Sequence, residues 1–181
     1  MSESSTLEFL NFPGRIHLIT SNTELNDVLS HLEAAEAFGF DTETRPAFRK
    51  GEVYQVALLQ LATETDAFVV RLHRVNAYEI FRRIFENENV LKVGLAIRDD
   101  LKQLQNRFRF EPKNFVELQS LAKAKGLENF GLKGMAEEVL GKTISKGPKT
   151  TNWEAAELTD RQIMYAATDA WVGLQIYRKL F

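Results

Sequence analysis

Three short apolar runs stand close together in the first half of this chain: Phe38-Gly-Phe-Asp41, Tyr54 to Ala62 and Ala67 to Leu72. The last two are separated only by the polar turn Thr63-Glu-Thr-Asp66, too short for anything but a direct antiparallel return. A strand over Gly14 to Thr20 precedes them, followed by a capping-box start at Ser21 to Glu24 and a helical repeat through Leu25, Val28, Leu29, Leu32 and Ala35. After Leu72 the pattern changes. A helix over Ala77 to Glu86 leads to a strand over Val90 to Ala96, a helix from Asp99 to Asn106 and a short strand between Asn114 and Glu117. Helices follow over Leu118 to Lys125, Leu132 to Leu140 and Thr159 to Phe181. Strands first, then strands alternating with helices, predict an α/β three-layer sandwich on a mixed sheet of five or six strands with an antiparallel start.

With 181 residues, 44% of them hydrophobic, the chain has the size of one domain that buries roughly 70% of its unfolded surface. Sparse Pro and Gly give a second domain no place to begin, so residues 1–181 read as a single domain. The net charge of −2 speaks against holding nucleic acid by a strong overall positive field, though not against local neutralisation of phosphate by bound cations. The absence of cysteine removes disulfides, thiolate metal sites and thiol nucleophiles. The polar opening Met1 to Thr6 has no basic stretch followed by an apolar one, and no apolar run approaches the roughly 20 residues that span a bilayer. An intracellular, cytoplasmic protein is expected, or a nuclear one in a eukaryote.

Acids stand at the edges of three core elements. Asp41 and Glu43 are i and i+2 on an extended segment, so their carboxylates share one face. The bland alternative is a strand ending in solvent. Tyr165 and Asp169 lie about 40° apart around the last helix and one turn from each other. They fall on a flank with Val172 and Ile176, beside the apolar stripe Ile163, Ala167, Ala170, Leu174 and Tyr177, while Thr168, Gln175 and Lys179 face away. Taken alone, that motif is better explained by an ordinary half-buried hydrogen-bonded pair. Between the two sites, Asp99-Asp100 sits where a strand runs into a helix, and either acid suits an N-terminal cap while the other binds metal.

The conjunction in this order resembles the DEDDy group of 3'-5' exonucleases. Phe40-Asp-Thr-Glu43, Val93-Gly-x-x-Ile-x-x-Asp100 and Tyr165-x-x-x-Asp169 are similar to its three motifs. The stretch from Asn114-Phe-Val-Glu-Leu118 through Leu140-Gly-Lys142 and Asn152-Trp153 to Ile176-Tyr-Arg178 is similar to the exonuclease domain of the Werner syndrome protein. The likeness covers roughly residues 35 to 180. It implies a ribonuclease H-like fold, Asp41, Glu43, Asp100 and Asp169 as ligands of two Mg²⁺ or Mn²⁺ ions, and Tyr165 as the residue that orients the attacking water. It further implies that Asp41 bridges the ions, with Glu43 and Asp169 on the nucleophile side and Asp100 on the other. Asp100 is preferred to Asp99 because its spacing from Gly94 and Ile97 fits the motif. A related group carries His five residues before the last acid; here that residue is Met164, which points to the tyrosine subgroup.

The implied activity is removal of nucleoside 5'-monophosphates from the 3' end of DNA or RNA. A catalytically silent binding module on the same fold, or an interaction domain whose acids are surface decoration, are the alternatives. Arg45-Pro46 departs from the family pattern, and the helical domains that ribonuclease D-like members carry after the exonuclease are not expected from residues 1–181. Gly141-Lys-Thr143 lacks the upstream glycine of a phosphate-binding loop, since residue 136 is Ala. Lys142, Lys146 and Lys149, like Arg45, Arg49 and Lys50, are either solvated charges or contacts to a nucleic-acid backbone. Trp153 and Trp171 read as core.

Overall fold

The computed structural model describes residues 6–181; residues 1–5, most of the polar opening read above for a signal peptide, lie outside the described residues. Six strands form one sheet: β1 (Arg15–Ile19), β2 (Ala37–Glu43), β3 (Leu58–Ala62), β4 (Asp66–Arg71), β5 (Leu91–Gly94) and β6 (Phe115–Glu117). Their spatial order is β1-β4-β3-β2-β5-β6. The tight turn does what the sequence predicts, for β2–β3 and β3–β4 are antiparallel. β5 and β6 add in parallel beside β2. The antiparallel start does not extend to β1, which crosses over to pair in parallel with β4. The sheet is mixed, with six strands.

Helices cover both faces. On one side α1 (Asn22–Asp27), α2 (Leu29–Ala34), α3 (Glu79–Glu86) and α4 (Ile97–Gln105) close a core rich in phenylalanine, including Phe38, Phe40, Phe81 and Phe85. On the other, α5 (Leu118–Ala124), α6 (Leu132–Met135) and the long α7 (Asp160–Leu180) pack against the sheet through residues such as Leu118, Met135, Ala166, Ala170 and Leu174. This is the expected three-layer arrangement.

Several boundaries move for physical reasons. The first predicted helix is two, because the Val28 N–H closes a tight turn on Leu25 O (3.3 Å) and interrupts the ladder. The strand expected from Tyr54 begins at Leu58, since Tyr54 is occupied in a loop beneath the Arg45 guanidinium. The predicted 132–140 helix starts as α6 and ends in a wider π turn over Ala136–Leu140. The helix expected at Asp99 starts at Ile97, which places both aspartates inside its first turn. No helix among the described residues is long and apolar enough to cross a membrane.

Candidate active site

Strand β2 organises the site by simple alternation. Phe38 and Phe40 enter the phenylalanine-rich core, so Gly39, Asp41 and Glu43 face α7. At Gly39 the helix backbone comes so close that a Cβ would stand 1.8 Å from Ala170 O. Only glycine permits that approach, and it sets Asp169, the neighbour of Ala170, over the acids of the strand. Carboxylate oxygens of Asp41, Glu43 and Asp169 consequently lie within 4.8 Å of one another.

Burying three carboxylates together is unfavourable for their charged forms. Burial first, then Asp169 and Asp100, raise Asp41 well above the usual carboxylate range, against an opposing hydrogen bond from the Thr42 N–H (2.8 Å). Burial and the charges of Asp41 and Asp169 push Glu43 up to about 10, and burial pushes Asp169 up to about 7. The Lys149 ammonium pulls all three back down. Asp169 Oδ1 is buried and has no hydrogen-bond partner. An orphaned, negatively polarised oxygen in a nest of like charges fits a bound cation, and an all-oxygen donor set suits a hard divalent one.

Asp100 stands outside this trio. Its Oδ1 accepts a hydrogen bond from Thr42 Oγ1 (2.5 Å), and burial raises its pKa while that bond lowers it. Neither Asp99 nor Asp100 caps α4. The cap is remote: Glu117, at the end of β6, accepts from the N–H groups of Ala96 (2.7 Å) and Ile97 (2.8 Å) and also from Gln119 N (3.0 Å). Ala96 is held at φ 52°, a left-handed turn that aims those N–H groups at Glu117. One carboxylate thereby orients the turn that presents Asp100.

Tyr165 and Asp169 are both buried, deeper than a helix flank would place them. The phenol lies against the Asp169 carboxylate, and burial followed by that charge raises its pKa, so it stays protonated. Its ring stacks on Trp153 at 6.0 Å between centroids. Trp153 is fixed because the buried Arg71 donates to the carbonyls of Trp153, Ala155 and Ala156. At the start of α7, Thr159 and Gln162 form a reciprocal capping box. Thr168, expected to face away, is buried instead, because the segment before β1 crosses the helix and Phe12 N–H donates to Thr168 Oγ1 (3.0 Å).

All five candidate residues, Asp41, Glu43, Asp100, Tyr165 and Asp169, line one cleft of about 480 Å³. Lys133, Gly134, Ser145, Lys146 and Lys149 also line it. Lys142 does not join it; it ion-pairs with Glu8 (3.4 Å), while Thr143 is buried and bonds Glu137 (2.7 Å). That segment carries no phosphate-binding geometry. Trp153 is core as expected, and Trp171 is half-buried, packed against the core with its ring edge-on to Phe12.

A family model described as 3'-5' exonuclease matches residues 16–181. The chain belongs to the 3'-5' exonuclease family. Within it, the chain is 33% identical to the mouse bifunctional 3'-5' exonuclease/ATP-dependent helicase WRN, an alignment covering 96% of this chain and 13% of that protein. It is 29% identical to ribonuclease D of Haemophilus influenzae over 93% of this chain and 42% of the relative. The chain therefore spans less than half the length of these two relatives. Among solved structures, the exonuclease domain of Aedes aegypti Nibbler superposes with a TM-score of 0.83 at 25% identity, covering 91% of this chain and 86% of that one. Escherichia coli ribonuclease D superposes at 0.81 with 29% identity, covering 90% and 43%. The ribonuclease H-like exonuclease fold expected from the motifs is the fold of this exonuclease-family chain.

Motif spacing did not reveal Thr42, Glu117 or Lys149. Thr42 stands inside the first motif, and its hydroxyl is the only sign of a partner. Glu117 ends a predicted strand in an unremarked acid. Lys149 is one of several lysines in a polar loop, and only the fold distinguishes it.

Proposed function

We propose that this chain is a divalent-metal-dependent 3'-5' exonuclease domain that releases nucleoside 5'-monophosphates from nucleic acid, and that it acts inside the cell. The observation that carries the reading is the convergence of Asp41, Glu43 and Asp169 around an oxygen without a partner. These three would hold one cation, and Asp100, braced by Thr42, would complete the set for a second. When bound, the ions supply activation of water and stabilisation of the leaving oxygen. The protonated Tyr165, fixed by Trp153 and Asp169, orients the water on its line of approach to phosphorus. Water oxygen bonds to phosphorus and gives up a proton to solvent, the P–O3' bond breaks, the leaving 3'-oxygen takes up a proton from solvent, and the phosphate departs on the released nucleotide. Nucleic acid as substrate is supported by relatives named as ribonuclease D and by the E. coli neighbour, described as an exoribonuclease in structured RNA processing.

End-labelled DNA and RNA oligonucleotides, single- and double-stranded, test this with Mg²⁺, Mn²⁺ or EDTA. Mononucleotides should appear from the 3' end only with metal; Asp100→Asn should remove most activity, and the neighbouring Asp99→Asn should keep it. Metal-independent binding without mononucleotide release would identify a silent binding module. Activity that survives Asp100→Asn and is lost in Asp99→Asn would shift the third acid by one residue.

A further inference from the structure

The loop between β2 and β3 leaves the site one residue after Glu43 and returns at Ala57. Its neck is built. The Arg45 guanidinium lies 4.3 Å over the Tyr54 ring and 3.6 Å from Glu154, in the segment that leads into α7. Tyr54 in turn donates to Glu52 (3.0 Å). The tip is a tight turn: Glu52 N–H bonds Arg49 O (3.2 Å), and Gly51 takes the positive φ of 90° that a type II turn requires at that position. An ordered neck and turn would normally tuck apolar side chains inward. Here Phe48 before the turn is 83% exposed and Val53 after it 86% exposed. Between them stand Arg49, with its side chain 88% exposed, and the exposed Lys50. The exposed rings of Phe130 and Phe181 have companions, Lys123 and Tyr177, whereas Phe9, also exposed, has neither a ring nor a cation against it among the described residues.

An unstacked ring beside the exposed Lys50 and an Arg49 that only reaches Glu52 at 4.0 Å is the combination that holds single-stranded nucleic acid, whose bases offer π faces and whose backbone offers charge. Reach agrees. Phe48 is five residues along from Glu43, so the two are at most about 18 Å apart, a span within the reach of roughly five nucleotides at 3.4 Å each. Resting on the exonuclease reading, we infer that this turn is a docking surface for the single strand a few nucleotides upstream of the 3' end. A base stacks on Phe48 with Val53 alongside, and Arg49 and Lys50 meet the phosphates.

The test compares the unaltered chain with Phe48→Ser/Val53→Ser and with Arg49→Gln/Lys50→Gln. Two readouts are used: affinity for a fluorescent 12-nucleotide single strand by anisotropy, and cleavage of a dinucleotide too short to reach the turn. The first pair should weaken 12-mer binding roughly tenfold. The second should make the slope of log affinity against log salt shallower by about 1.4. Dinucleotide cleavage should be unchanged in both. Unaltered 12-mer affinity and salt slope would overturn the docking surface, whatever the enzyme does. Absence of dinucleotide cleavage by every form, with the affinity loss present, would overturn the exonuclease reading and leave the surface standing. Concentration-dependent dimers abolished by Phe48→Ser/Val53→Ser, with nucleic-acid affinity intact, would assign the patch to a second copy instead.

Discussion

The two faces of β2 differ as much as any two regions of the molecule, although they are alternate residues of one strand. On one face Phe40 meets Phe85 and Phe115 edge-on at 5.8 and 5.4 Å, and Phe85 continues to Phe110 at 5.1 Å. Each side chain there gains from its neighbours. On the other face Asp41 and Glu43 meet Asp169, and each carboxylate is made less comfortable by the others. The first arrangement stabilises the fold as it stands; the second is held in place by that stability, against its own electrostatics.

Breaking the acidic face should therefore separate activity from stability completely. Asp41→Ala/Glu43→Ala should abolish cleavage while the metal-free protein melts at the same temperature or higher, because two buried carboxyls that resist ionisation have been removed. Paired nuclease assays and thermal melts in EDTA check this, and undiminished hydrolysis would dismiss the site.

The aromatic face should respond in the opposite sense. Phe85→Ala should cost on the order of 3–5 kcal/mol in denaturant unfolding, with the acids untouched and specific activity per folded molecule nearly preserved. If activity instead fell far more than the folded fraction, the two faces would not be separable.

Tyr165→Phe sharpens the comparison within the site, because it removes one oxygen and keeps the ring against Trp153. Single-turnover cleavage should slow by roughly 10²-fold while Mn²⁺ affinity stays the same. A wild-type rate would make the residue a packing element.

The smallest effect is electrostatic. Unfolded carboxyls release their protons near pH 4, whereas Asp169 keeps its own to about 7 and Glu43 to about 10. Between those limits the folded state binds more protons, so the stability of the metal-free protein should fall as pH rises from about 5 to 8. Saturating Mn²⁺ should flatten or invert that slope, since the ion binds the deprotonated form. Melting temperatures across the range, with and without Mn²⁺, would read it out. A metal-free curve rising with pH would show that other groups dominate.

Local rules carried the sequence reading as far as local rules reach. Period two in β2 and i, i+4 spacing in α7 put Asp41 with Glu43 and Tyr165 with Asp169, and the members of each pair do lie together. What the chain hid were the effects of distant partners. Thr168 looked solvent-facing until the segment carrying Phe12 crossed it. Asp99 and Asp100 looked like caps, but the helix starts ahead of them, at Ile97, and Glu117 takes up its first N–H groups from a strand over fifteen residues away in sequence. β1 joined an edge that hairpin logic never visits. Lys92 is fully buried mid-strand with Nζ bonded to Ile84 O (2.9 Å) and Asn87 O (3.0 Å), a placement that strand alternation alone gives no reason to expect for a lysine.

The missing side chain at Gly39 has a consequence for how the molecule opens. With the backbone of α7 lying directly on the central strand, the last helix cannot peel away while the sheet stays shut. Amide hydrogens of β2 and of the middle of α7 should thus exchange in a single cooperative event at the global unfolding free energy, not in separate local openings. Both ends of the chain that supply the acids then belong to one foldon, and no partly unfolded form keeps half a site.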